Sequence, residues 1–360
     1  MRTADTRRIL ANYLRTVVAA ATATGLLGVG CASAAEAPPT AEWSVLQRWK
    51  VGGPGGWDYL RLDAAGSRLF VSRGDHVDVL DTGSGRLIGT IPDTKGVHGI
   101  ALAPDLKRGY TSNGRGDSVT VFDLDTLKVI AEYPVPAHNP DAILYEPAGK
   151  HLFTFNGRSK DVTVFDASTM ALVATLPVPD KPEFAVTDGA GRIYLNIESE
   201  AGQMVVIDAA APAIKATWAL PGCASPSGLA IDRRHRRLFS VCDANVMAVT
   251  DADSGRQVAQ VRIGEGPDAA AYDAKRGLVW SSNGEGTLTA VRQESADTYS
   301  VAATIPTQKG ARTMALDEAS GKIYLVTAEF GPAPAPTPDQ PHPRPSLVPD
   351  TFTVLVVGRR

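Results

Sequence analysis

The sequence predicts an all-β fold, a seven-bladed β-propeller closed by an N-terminal strand in the last blade. Three observations carry this expectation. A unit of roughly 43 residues recurs seven times from Val51 to the C-terminus. Inside each unit, short stretches of alternating apolar residues suit half-buried strands, and Gly, Pro, Asp or Asn at each break suits a turn. The seventh unit stops one strand short, after residues 352–357, while an orphan strand at residues 44–50 precedes the first unit. Four short strands per repeat at this period are the pattern of a propeller blade.

The elements follow in order within each unit. A middle copy begins Asn139-Pro140-Asp141-Ala-Ile-Leu-Tyr-Glu146, the innermost strand, and turns at Pro147-Ala-Gly149. Its second strand ends in Phe153-Thr-Phe-Asn156, its third is Val162-Thr-Val-Phe-Asp166, and its fourth Ala171-Leu-Val-Ala-Thr-Leu-Pro177. Third strands elsewhere close on Asp81, Asp123, Asp208 and Asp251, where a short carboxylate accepts hydrogen bonds from turn amides. Pairing residues 44–50 with 352–357 supplies the missing fourth strand and leaves only short outer edges on the ring.

The ends of the second strands carry a resemblance. They read Phe70-Val-Ser-Arg73, Tyr110-Thr-Ser-Asn113, Phe153-Thr-Phe-Asn156 and Tyr194-Leu-Asn-Ile197, then Phe239-Ser-Val-Cys242, Trp280-Ser-Ser-Asn283 and Tyr324-Leu-Val-Thr327. These slots resemble the Tyr-Val-Thr-Asn (YVTN) repeat family of bacterial seven-bladed propellers, and the chain after the leader resembles its YncE-like group. The resemblance covers all seven units. It implies the fold, and for function it implies mixed roles, with DNA binding proposed for one branch.

The first 34 residues read as a signal peptide. Arg2, Arg7, Arg8 and Arg15 precede an apolar stretch at 17–29 that ends in Ala32-Ser-Ala34. Thr6-Arg7-Arg8-Ile-Leu10 also resembles a twin-arginine export signal. The propeller then occupies 35–360, and the protein is expected in the periplasm or secreted, as a monomer with no membrane span. Removing residues 1–34, which hold four basic residues and one acidic, leaves 32 Lys and Arg against 38 Asp and Glu, a net charge of −6. That balance lacks the basic footprint of a nucleic-acid-binding protein. The local strip Arg233-Arg-His-Arg-Arg237 reads as a solvated turn. Two cysteines remain, Cys223 and Cys242, and a blade hairpin brings both to one face, where an oxidising compartment favours a disulfide.

Propeller topology gathers the loops entering each innermost strand at one mouth of the central channel. Read once per blade, that slot holds Asp58, His98, Asp141, Glu183, Ser227, Asp268 and Arg312. Outside it on the same face come Arg73, Asn113, Asn156, Glu198, Asp243, Asn283 and Glu329. Asp58, His98, Asn113, Asp141, Asn156, Glu183, Asp268, Asn283 and Arg312 are therefore the candidate ligand-binding residues. An oxygen-rich set with one imidazole suits a divalent metal held by Asp58, His98, Asp141, Glu183 and Asp268. The plain alternative is structural: acidic residues opening inner strands satisfy amides of the next blade, and the Asn-Gly pairs at 113, 156 and 283 form turns of positive φ. Irregularity of the ring favours a site, since pure architecture would repeat one residue type.

Between the second and third strands of blade seven lies a Pro-rich insertion at 328–350, whose eight prolines favour an extended segment. It emerges over the same mouth, as a lid with His342 and Arg344 reaching inward or as a solvated loop. Gly-x-Ser-x-Gly, Walker, His-Glu-x-x-His and haem-attachment motifs are absent, and no catalytic nucleophile is identified. Three functions remain. The first is an exported binding or scaffold protein for a small ligand or protein segment. The second is a metal-dependent, lactonase-like hydrolase. The third is single-stranded DNA binding, implied only by the resemblance and opposed by the acidic ring.

Overall fold

The protein is described by a computed structural model covering residues 42–335, 343 and 345–360. The expected signal peptide at 1–34, and His342 and Arg344 of the insertion, lie outside the described residues. Seven four-stranded antiparallel sheets form the blades. Their innermost strands are Leu60–Leu62, Val97–Ala103, Pro140–Glu146, Lys181–Thr187, Pro226–Asp232, Pro267–Asp273 and Met314–Leu316. Each packs against the inner strands of its neighbours, blade seven against blade one included. Among the described residues no helix is long and apolar enough to cross a membrane.

In the last blade the order from outside to inside is Trp43–Lys50, Thr353–Arg359, Ile323–Thr327 and Met314–Leu316. Trp43 stands opposite Arg359 and Lys50 opposite Thr353, with one irregularity at Val45/Gln47.

The apolar residues segregate into seven clusters, each lying between two adjacent blades. Between blades seven and one, for example, Leu69, Val71 and Leu80 meet Tyr324, Val326 and Phe352. The alternating pattern explains this: one set of side chains from each strand faces the preceding blade and the other set the next. The aromatic residue opening each YVTN-like slot is at most 1% exposed in every blade. Buried tyrosines there also need a partner for the hydroxyl, and find it one blade on: Tyr110 donates to the carbonyl of Ala167 and Tyr194 to that of Ala252.

The strand-ending aspartates act as expected. Oδ1 of Asp81, Asp123, Asp166 and Asp251 accepts both the amide and the hydroxyl of the Ser or Thr three residues on.

The basic strip at 233–237 is a turn exposed at Arg233, Arg234 and His235, as expected, but its last two arginines are held in ion pairs. Arg236 pairs with Asp188 at 3.0 Å and Asp253 at 2.9 Å, and Arg237 with Asp251 at 2.7 Å and Asp297 at 2.6 Å. The turn sits at the seam of three blades, so its guanidinium forks meet carboxylates from each side. On the opposite face of blade five, Cys223 and Cys242 form the expected disulfide, with Cα atoms 5.2 Å apart.

Candidate site at the channel mouth

Each innermost strand begins at the same face, so the residue at or just before its start points to the axis from a fixed height. Asp58 and Arg312 precede the short strands of blades one and seven, and the other five ring residues lie inside their strands. The ring falls into two groups.

In the first, Nδ1–H of His98 donates to Oδ2 of Asp58 at 2.5 Å, and Oδ1 of Asp141 lies 3.7 Å from the same nitrogen. Three consecutive blades contribute one residue each. Burial pulls the pKa of His98 down, but the hydrogen bond it donates to Asp58 and the charges of Asp141, Asp58 and Glu183 outweigh it, so its pKa rises above 6.5. Burial pushes Asp141 above the usual carboxylate range; His98 pulls it down and Asp58 pushes it up. Glu183 is raised by burial and then by Asp141, against the attraction of Lys181. The ammonium of Lys181 lies 2.7 Å from Glu183 and also bonds Glu198. Nε2 of His98 is turned away from Asp58, toward Gly114; a Cβ there would lie 2.7 Å from it. Only glycine admits the imidazole so close to that loop.

In the second group, Oγ of Ser227 donates to the carbonyl and carboxylate of Asp268, at 3.0 and 3.2 Å. Nε of Arg312 lies 3.4 Å from Asp268. Burial nevertheless pushes Asp268 up to about 6, Arg312 opposing. Between the groups, Tyr59 stacks on Phe184 across the axis, with ring centroids 5.6 Å apart. They form a floor above a channel cavity of about 200 Å³. The Tyr59 phenol is raised well above its ordinary pKa by burial, then by the charges of Asp141, Glu183, Asp58 and Asp268.

The three asparagines do not join this site. Asn113, Asn156 and Asn283 end their second strands fully buried. Their amides donate to Thr120, Thr163 and Thr289 on the adjacent third strand of the same blade. None of the three, nor the glycine after each, has positive φ; they are internal ties rather than turn residues or ligand contacts. Arg73 is likewise turned inward. It is 1% exposed, pairs with Asp78 at 3.0 Å, donates to the carbonyls of Gly52, Gly53, Pro54 and Gly56, and lies over the Phe352 ring at 3.7 Å. At the base of the insertion, Phe330 packs edge-on to Trp57, one residue from Asp58.

Asp58, His98 and Asp141 can bring one ligand atom each to within 4.8 Å of one another, a plausible metal triad by composition. Two ligands bonded to one ion at about 2.0–2.2 Å stand about 3 Å or more apart. The 2.5 Å between Asp58 and His98 is shorter, so an ion would have to turn Asp58 aside. As it stands, the cluster fits an imidazole–carboxylate hydrogen bond better than an open metal cage. Lys181 was not legible as a site residue, although it opens the same Lys-Pro-Glu that places Glu183.

A family model described as "Lactonase, 7-bladed beta-propeller" matches residues 76–176, less than a third of the chain. No curated protein matches the chain. Among solved structures it is similar to Kuenenia stuttgartiensis hydrazine synthase, at 17% identity and TM-score 0.67, over 75% of this chain and 92% of that one. It is similar to U3-55K at 14% identity and TM-score 0.69, over 89% and 99%. It is also similar to the WD40 repeats of RRP9 at 14% identity and TM-score 0.70, over 90% and 99%. At these identities the likeness is one of fold alone.

Proposed function

We propose that this is an exported propeller of the YncE-like, YVTN-repeat type that binds a small polar ligand at the channel mouth. The observation that carries the reading is the junction of Asp58, His98 and Asp141 from three successive blades, beside Glu183 and Lys181. Raised carboxylates held close together cost free energy in an empty mouth. A cationic or hydrogen-bond-donating group placed among them offsets that cost. The disulfide in blade five supports export to an oxidising compartment, and the basic-then-apolar leader supports the same route. The acidic mouth argues against single-stranded DNA, whose phosphates it would repel.

Thermal shift of the purified protein against divalent cations, amines and polyols tests the reading, with Asp141→Asn plus Asp268→Asn as the comparison. Stabilisation of the parent that the double variant loses, both remaining folded, supports it. If nothing on the panel stabilises the parent, the ring is inter-blade pairing and the reading fails.

A second reading, lactone hydrolysis, is favoured by the lactonase match over residues 76–176 and by Nε2 of His98, which has no hydrogen-bond partner among the described residues. There Nε2 takes a proton from water as the water attacks the carbonyl carbon, while Asp58 holds the imidazolium that forms. The ring oxygen leaves as the C–O bond breaks and the proton returns to it. Assays on a lactone panel, in which His98→Gln abolishes turnover, separate this reading from simple binding.

A further inference from the structure

Beside the ring, on the same face, is a cavity of about 340 Å³ that neither reading uses. Four loops wall it: residues 54–56 before the first inner strand, Gly74 and Asp75 in blade one, Lys95 and Gly96 before the inner strand of blade two, and Arg115 after the second strand of blade two. Lys95 and Arg115 are exposed at its rim, and neither forms an ion pair among the described residues. Of the other charged groups facing it, Asp75 is an exposed carboxylate attracted by the Arg115 guanidinium as well as by His76, and Arg73 is fully paired. Arg73 is bonded to Asp78 and to carbonyls, and Asp75 is 2.7 Å from Nδ1 of His76. The amides of Gly55 and Gly56 donate to no acceptor among the described residues, while Gly74 is bridged to Val97. The cavity thus offers two cations without an ion pair among the described residues against the single exposed carboxylate of Asp75, together with the N–H groups of Gly55 and Gly56. An anion with more than one acceptor oxygen complements that set.

The same loops build the ring. Gly56 stands two residues before Asp58, Gly96 two before His98, and Arg115 follows Gly114, which borders Nε2 of His98. We propose that the cavity binds the carboxylate or phosphate group of a small ligand between Lys95 and Arg115. An anion anchored there presents the rest of its ligand to Nε2 of His98. The anion site rests on its own charges and does not depend on what the ring binds.

The test is titration calorimetry with inorganic phosphate and with glycolate, at low and high salt. Saturable, salt-weakened binding of either anion is expected, and the better one identifies the group. Lys95→Gln with Arg115→Gln should weaken it by about tenfold or more, the scale of one or two charge-assisted hydrogen bonds. Gly56→Leu should weaken it similarly by filling the cavity: a Cβ at residue 56 meets nothing within 4 Å, and its φ is not left-handed. Unchanged melting temperatures confirm that these variants fold. His98→Gln should leave phosphate affinity intact, which separates this proposal from the reading of the ring. The proposal is overturned if the parent binds neither anion saturably, or if folded cavity variants bind as tightly as the parent.

Discussion

Nδ1 of His98 lies 2.5 Å from Oδ2 of Asp58, although the two residues are 40 positions apart and belong to different blades. Equivalent slots in adjacent repeats place them side by side, and the hydrogen bond helps hold the imidazolium against its burial. A histidine with a raised folded pKa stabilises the protein fully below its unfolded value near 6.5. That contribution is lost as pH rises through the higher folded value. Asp58→Asn removes the carboxylate, so the His98 titration followed by NMR should move to lower pH. A titration that does not move would show that the pair is not coupled.

Asp268 makes the opposite bargain with its surroundings. Its carboxyl is raised to about 6 from an ordinary value of 3.8, burial outweighing Arg312 and Ser227. The folded state therefore keeps the proton to higher pH than the unfolded state does, and stability declines as pH rises from 3.8 towards 6. Asp268→Asn should melt higher than the parent above that window, by a few degrees on the order of 1–2 kcal/mol, and equally below it. Differential scanning at several pH values reads the crossing. A variant that melts lower throughout would mean that the Arg312 contact dominates instead.

Arg73 holds the loop before the first blade through four carbonyls, Asp78 and the face of Phe352. Arg73→Met leaves a buried carboxylate and several carbonyls unmatched, at a cost of about 3–5 kcal/mol. Arg73→Lys should recover only part of it, since an ammonium cannot span the same fork. Urea denaturation of the three proteins measures the order. Equal stability of the Lys variant and the parent would sink the argument.

The disulfide of blade five closes a loop across a sequence separation of 19. Chain-entropy arguments assign it about 3 kcal/mol. Cys223→Ala with Cys242→Ala should lower stability by that order, and reducing agent should lower the parent to nearly the same level. Reductant that destabilises the double variant equally would point to some other cause.

Repeats made the blades and the ring legible, because a slot read once per unit falls at one height in every blade. Side-chain direction was less legible. Arg73 occupies the slot that Asn113 and Asn156 occupy, and nothing in that spacing tells whether such a residue looks to the mouth or into its own blade. Partners decide it: threonines two residues into the third strand capture the asparagines, and carbonyls of a glycine-rich loop capture the arginine. Lys181 was hidden for a similar reason, since its two carboxylate partners, Glu183 and Glu198, come from adjacent strands of blade four. The last two arginines of the strip at 233–237 looked solvated because Asp188 and Asp297 lie far away in sequence.

Each blade lends the seven-membered ring one residue, while the apolar clusters lie in the seams between blades. The protein thus separates its lettering from its masonry. A blade exchanged whole for a cousin would rewrite a single letter of the ring and disturb only the two pairings beside it. Such a mouth can drift from one ligand to another by small steps, each leaving the wall standing.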